Sequence, residues 1–189
     1  LLPHNPDYGM TYCLPYRYLP EVAGHMPLFN QLMHDCWGDD PDFEDKIWAL
    51  QEFMGATLFG VAPQYQRALC LIGQPSSGKS RFPGLMRGLM PPEVGASVSP
   101  QDWHDKFLPA QLFGKLFNFC GELSESKNIQ GDIFKQIVEG GEITAQHKNQ
   151  QPFKFHPQCA HWFASNHAPK TKDTSDGFNR RWLFLQFER

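Results

Sequence analysis

Eight consecutive residues, Gly73-Gln74-Pro75-Ser76-Ser77-Gly78-Lys79-Ser80, match the pattern G-x-x-x-x-G-K-[ST] without a substitution. This stretch constrains the fold more than any other, because the pattern works only where a strand delivers the chain into a tight curl and a helix carries it away. Both flanks comply. Ala68 to Ile72 is an apolar run ended by Gly73, and Lys79 to Met90 is compatible with a helix. The backbone N–H groups of such a curl converge on phosphate oxygens, and the positive end of the helix adds to the attraction. Gly73 through Ser80, together with Arg81, are therefore the expected phosphate contacts. Lys79 is placed to reach the β- and γ-phosphates and Ser80 to ligate a metal, so ATP and Mg2+ are the expected ligands. A coincidental Gly-Ser turn is the bland alternative. Pro83 is awkward: near the end of the first helical turn it is expected to cost a hydrogen bond and kink the helix.

Three further apolar runs, Leu116–Cys120, Ala160–Ala164 and Trp182–Phe187, repeat the signature of a strand buried on both faces, and Asp132 to Glu139 is again helix-compatible. Buried strands alternating with helices predict an α/β chain with a mainly parallel sheet flanked by helices. Before residue 63 the grammar differs. The first 25 residues are proline-punctuated and aperiodic, whereas apolar residues at helical spacing predict short helices from Pro27 to about Cys36 and from Phe43 to Met54. The expected organisation is a helical segment over 1–62 preceding an ATPase core over 63–189.

Charge is sorted along the chain. Residues 1–60 hold 2 basic and 9 acidic side chains, and residues 61–189 hold 15 and 11, so a net charge of −3 conceals a mildly basic C-terminal part. That suits a polyanionic partner, although surface solubility explains it equally well. The longest stretch without Asp, Glu, Lys, Arg or His, 14 residues from Phe53 to Gln66, contains two glycines and a proline and is too short to span a bilayer. Five cysteines without a CxxC pair point to a reduced, cytoplasmic protein. His156, Cys159 and His161 lie close enough to suggest a metal, but two of them sit inside an apolar run and a fourth ligand is missing, so packing is the favoured reading. The opening Leu-Leu-Pro-His-Asn-Pro, without Met or a leader, reads as the start of an excised piece.

A loop that hydrolyses ATP needs a carboxylate at a neighbouring strand end and a group that orients water. Glu122 and Glu125 follow the run Leu116–Cys120, and Asn166 ends the run Ala160–Ser165. Glu122 leaves its strand first and is the better candidate for metal or water; an amide such as Asn166 can sense the γ-phosphate by donating and accepting. Solvated loop acids and a turn-forming Asn are the alternatives. Arg180 and Arg181 precede the last strand, and one of them suits stabilisation of a transferring phosphoryl group, with salt-bridging the other role.

Taken together, GQPSSGKS, FNFCGELSE and HWFASNHAPKTKDTSDGFNRRWLFLQF resemble the superfamily 3 helicases, in particular the primase–helicases of phages, plasmids and poxviruses. The resemblance implies an AAA+-like ATPase core, usually hexameric, that encircles DNA and moves along one strand. It implies Lys79 and Ser80 as the phosphate-loop pair, Glu122 and Glu125 as the acidic motif, Asn166 as the sensor and Arg180 or Arg181 as the arginine finger. It also implies a hairpin with a basic tip between acidic motif and sensor, which places Lys148 foremost, with His147 and Lys154, against single-stranded DNA in a central channel. A linked primase domain is expected in the parent chain. The acidic motif departs from the family in being Gly-Glu-Leu-Ser-Glu rather than an adjacent carboxylate pair, which leaves the roles of Glu122 and Glu125 open. A phosphate-loop kinase and a nucleotide-gated oligomerisation or loader module with little turnover are the other readings.

Overall fold

The computed structural model describes residues 5–9, 12–22 and 24–187. In chain order the strands are β1 (Ala68–Gly73), β2 (Gly95–Ala96), β3 (Phe117–Cys120), β4 (Ile143–Ala145), β5 (Phe153–Phe155), β6 (Ala160–Ser165) and β7 (Trp182–Phe187). Five of them form one sheet in the order β2-β3-β6-β1-β7, and every neighbouring pair is parallel. The strand that feeds the phosphate loop is thus interior, between β6 and β7. β4 and β5 make a separate antiparallel hairpin.

Parallel strands need crossovers, and these cover both faces of the sheet. Alternation along β1 shows how. Leu69 and Leu71 face a cluster holding Trp37 of α1 (Pro27–Trp37), Leu50 and Phe53 of α2 (Phe43–Leu58), and Phe82 of α3 (Arg81–Leu89). Ala68 and Cys70 face the opposite way, against Phe134 of α4 (Gly131–Val138) and Phe178 of α5 (Asp176–Asn179). The N-terminal helices therefore share one core with the sheet. Trp37 stacks on Phe82 at 5.2 Å and donates its indole N–H to the Gln186 carbonyl at 2.8 Å, which ties α1 to α3 and β7. Burying one such indole contributes about 3 kcal/mol. Two acids of the negative N-terminal part act internally, since Asp40 and Asp42 hold the buried Lys46 ammonium at 2.6 and 3.0 Å.

Pro83 does not interrupt α3 and removes none of its hydrogen bonds. The helix begins at Arg81, so Pro83 is its third residue, within the first turn, where N–H groups have no intrahelical acceptor. The edge strand β2 has only two paired residues, and a side chain extends it: Asn118 of β3 accepts from the Val98 N–H at 2.8 Å and donates to the Val98 carbonyl at 3.0 Å. Asn118 and its neighbour His161 on β6 are buried, and burial pushes the His161 imidazole down to about 3. His156, Cys159 and His161 do not converge. His156 meets the Gly140 carbonyl, Cys159 donates to the Lys115 carbonyl at 3.2 Å, and His161 packs its ring on Trp103. Among the described residues no helix is long and apolar enough to cross a membrane.

Candidate nucleotide site and hairpin

Register places the candidate residues at one edge of the sheet. Ile72 pairs with Ser165, and Phe163 pairs with Cys120, so continuing each strand aligns Gly73, Asn166 and the Glu122–Leu123 step along the C-terminal edge. Adjacent strands stand about 4.8 Å apart, which puts the acidic loop two strand spacings, roughly 10 Å, from the phosphate loop. Ligands in open parallel sheets bind beyond this edge.

The phosphate loop is shaped by what its backbone must avoid. A Cβ on Gly73 would lie 2.5 Å from the Phe187 carbonyl oxygen of β7, so this position admits glycine alone. Gly78 has φ +94° and Ser76 has φ 65°, left-handed conformations that produce the curl. Lys79 is buried, and its ammonium donates to the carbonyls of Gly73 and Gln74, both at 2.6 Å, and to Ser77 Oγ at 3.2 Å. Burial lowers its pKa. Ser80 and Arg81 are exposed at the helix start. A groove of about 950 Å3 runs between this loop and the first turns of α1, lined by Met26, Phe29 and Leu32 on one side and Pro75, Gly78 and Arg81 on the other.

Glu122 and Glu125 are exposed and lie in an irregular loop, outside any helix. With Asn166 and His167 they line an open crevice of about 570 Å3. The loop is held from beneath by the buried Gln101 side chain, which accepts from the Ser124 N–H at 2.9 Å and donates to the carbonyls of Ser124 at 2.7 Å and Lys127 at 2.8 Å. Gln101 lies outside the motifs above, and His167 lies within the third of them without a role assigned to it. A lone Gln in a polar stretch gives no sequence signal, whereas His167 adjoins Asn166 and was open to notice. A further cavity of about 720 Å3, beside β2 and the start of β3, includes none of these residues.

The two arginines occupy different environments. Arg181 is buried, its guanidinium paired with Glu139 and with the Gly177 carbonyl, so it fastens α4 to the start of β7. Arg180 is exposed, and its carbonyl accepts from Arg67, the residue just before β1. It therefore stands at the N-terminal edge of the sheet, opposite the phosphate loop.

The hairpin projects from the other sheet-covering layer. Ile143, Ala145 and Phe155 are buried beneath it, while the tip carries exposed Lys148, with Asn149 at φ 63° closing the turn. His147 stacks on Phe153 at 5.2 Å, and Lys154 forms an exposed ion pair with Glu142 at 2.8 Å. A neighbouring loop joins it, since Gln146 N–H donates to the Lys106 carbonyl at 2.9 Å and the Lys106 ammonium lies 4.8 Å from the Phe107 ring centre. Lys106 and Phe107 thus add a cation and a half-exposed aromatic ring beside the tip.

The same architecture is found in solved structures. The apo structure of the NrS-1 C-terminal region (305-718) matches with a TM-score of 0.64 at 17% identity over 92% of this chain and 39% of that one. Its A form gives 0.63 at 18% identity over the same shares, and JCV helicase, crystallised with a bound acetamide compound, gives 0.52 at 14% over 83% and 43%. The chain thus spans 39% of the length of the NrS-1 region. Sheet, loop and neighbours define an α/β core, a mainly parallel five-stranded sheet flanked by helices, whose fold is shared with the NrS-1 C-terminal region and JCV helicase. No curated protein sequence matches the chain. Residues 71–181 match the Family of unknown function (DUF5906), and the chain belongs to that family.

Proposed function

We propose that this chain is the ATPase motor of a DNA helicase, part of a phage or mobile-element replication protein of the primase–helicase kind, which hydrolyses ATP to translocate on and unwind DNA. One observation carries the reading: a lysine cradle, a carboxylate loop and an amide meet at one sheet edge while an exposed arginine stands at the other.

The residues fit ATP and Mg2+ by their chemistry. Glycine is enforced at Gly73, the curl opens backbone N–H groups, and Lys79 is a buried cation whose present partners are only loop oxygens. Among the described residues no group of three or more His, Cys, Asp or Glu side chains is arranged to hold a metal, which suits a Mg2+ that takes most of its ligands from phosphates and water. Bound ATP·Mg2+ supplies the phosphoryl group and neutralises part of its charge. In this reading Gly73 to Arg81 hold the phosphates, Ser80 and Glu122 ligate the metal, Glu125 or Glu122 takes the proton of the attacking water, and Asn166 orients that water. The groove against α1 has room for the nucleoside.

Arg180 serves a neighbour. Strands rise about 3.3 Å per residue, and β7 runs level with β1 from Ala68↔Trp182 to Gly73↔Phe187, so Arg180 lies at least about 16 Å from its own phosphate loop. An arginine side chain reaches about 7 Å. Catalysis then requires two subunits per site, as in a closed ring such as a hexamer. Lys148 leads the contact with single-stranded DNA, supported by His147, Lys106 and Phe107, while Lys154 contributes after leaving Glu142. A linked primase domain in the parent protein and a host-cytoplasmic location complete the proposal.

Steady-state ATP hydrolysis against protein concentration, with and without single-stranded DNA and with Lys79→Ala as the blank, tests the reading. Cooperative, DNA-stimulated turnover is expected. Tight nucleotide binding with negligible turnover in the assembled protein would instead identify a loader module.

A further inference from the structure

We propose that His167 is a positioning residue for hydrolysis, a strut that joins the end of β6, where Asn166 stands, to the loop bearing Glu122 and Glu125. The proposal rests on the ATPase reading above. Its Nε2 lies 2.9 Å from the carbonyl oxygen of Leu123, the residue between the first carboxylate and Ser124, and Nδ1 lies 3.1 Å from the Ala168 carbonyl. Nε2 is also 3.9 Å from Glu125 Oε1. The imidazole is mostly covered, with 23% of its side chain exposed, and its backbone N–H is fixed on Ser165 Oγ at 3.2 Å.

The acidic loop is attached at several points, and their placement gives His167 its role. Gln101 grips the backbone of Ser124 and Lys127, and Ile129 donates to the Lys170 carbonyl at 2.8 Å further along. These contacts fix the loop from Ser124 onward. The limb carrying Glu122 leaves β3 at Gly121, where the atoms within 4 Å of a built Cβ are two of the Phe119 ring; Cys120 Sγ donates to the Glu122 carbonyl at 3.3 Å, Leu123 is buried in the core, and the hydrogen bond from His167 to Leu123 crosses from that limb to β6. Asn166 and the carboxylates must act on the same water from opposite sides, and a base is useful only within hydrogen-bond reach of its proton. A misplacement of about 1 Å at such a site costs on the order of 100-fold in rate. A side chain adjoining Asn166 in sequence and hydrogen-bonded between the two glutamates is placed to hold that spacing, and a movement of Asn166 is passed to the acidic loop through one ring.

The test uses wild type, His167→Phe, which keeps a ring and removes both ring nitrogens, and His167→Gln, which keeps an N–H at similar reach. Three quantities are measured on the full chain: ATP hydrolysis with saturating single-stranded DNA, affinity for trinitrophenyl-ATP, and thermal midpoint. His167→Phe is expected to lower kcat by about 10- to 100-fold with KM and analogue affinity within about twofold, and His167→Gln to recover most of the loss. Wild-type turnover in His167→Phe overturns the proposal, as does an equal loss in both variants, or a loss of kcat that comes with lost nucleotide binding and a lowered midpoint. Absence of hydrolysis in the wild-type chain refutes the ATPase reading itself, and the proposal falls with it.

Discussion

Replacing Arg180 by Ala separates a shared active site from a self-contained one. The side chain is exposed, and at least about 16 Å of strand separates it from the phosphate loop of its own subunit, against a reach of about 7 Å. Truncation should therefore leave folding and nucleotide affinity unchanged. An arginine supplied to a transferring phosphoryl group is worth about 10³- to 10⁵-fold in rate, so kcat should fall by at least about 10³. Mixing supplies the sharper test. An Arg180→Ala subunit offers an intact phosphate loop, and a Lys79→Ala subunit offers an intact arginine. In a ring assembled at random from equal amounts, the productive order occurs at roughly one interface in four, so about a quarter of wild-type activity should return from two inactive proteins. The assay is ATP turnover across mixing ratios, with co-assembly followed by size. Two co-assembling variants that stay inactive at every ratio would refute the shared site, as would Arg180→Ala retaining activity within tenfold of wild type.

Arg181→Ala should behave in the opposite way, because it removes a buried guanidinium and its packing: a loss of about 2 kcal/mol, on the order of 5 °C in a thermal melt, is expected. Acid should weaken the fold through His161, whose pKa is held near 3 by burial against about 6.5 when unfolded. The unfolded chain binds that proton first, so this stability is present above about pH 6.5 and declines as pH falls, by up to about 1.4 kcal/mol per unit. Urea titrations from pH 6.5 to 4 should show a shallower decline in His161→Phe; Asp173, held down to about 2 by Ser175 and Lys135, loses its contribution chiefly below about pH 4. Lys148→Ala should weaken single-stranded DNA binding and reduce the slope of log affinity against log salt by about 1, and Lys154→Ala by less, since Glu142 already engages that ammonium.

The interior strands were legible because burial on both faces writes an apolar run, as in Ala68–Ile72 and Ala160–Ala164; Trp182–Phe187, expected to be buried on both faces as well, is an edge strand that alternates, with Phe184 and Gln186 exposed. β2 was not, because two residues, Gly95 and Ala96, pair through their backbone and Asn118 extends the ladder from another strand. The phosphate loop was readable since each fixed position answers a backbone requirement. The difference between Arg180 and Arg181 was not, because it depends on Glu139, some 40 residues away in sequence, lying beside one and not the other. The same holds for Gln101 under the acidic loop: a buried amide that satisfies distant backbone groups looks like any surface glutamine until the chain is folded.

An ammonium has three protons, and in this structure Lys79 places all three on its own loop, at Gly73, Gln74 and Ser77. The charge is thus coordinated by three loop oxygens. In the ATPase reading proposed above, a phosphate oxygen would take the place of one of them, so affinity would depend on how firmly the loop holds that ammonium. Whatever loosens those three contacts from outside, a neighbouring subunit or α1 shifting against Gly78, would tune nucleotide capture without touching the nucleotide.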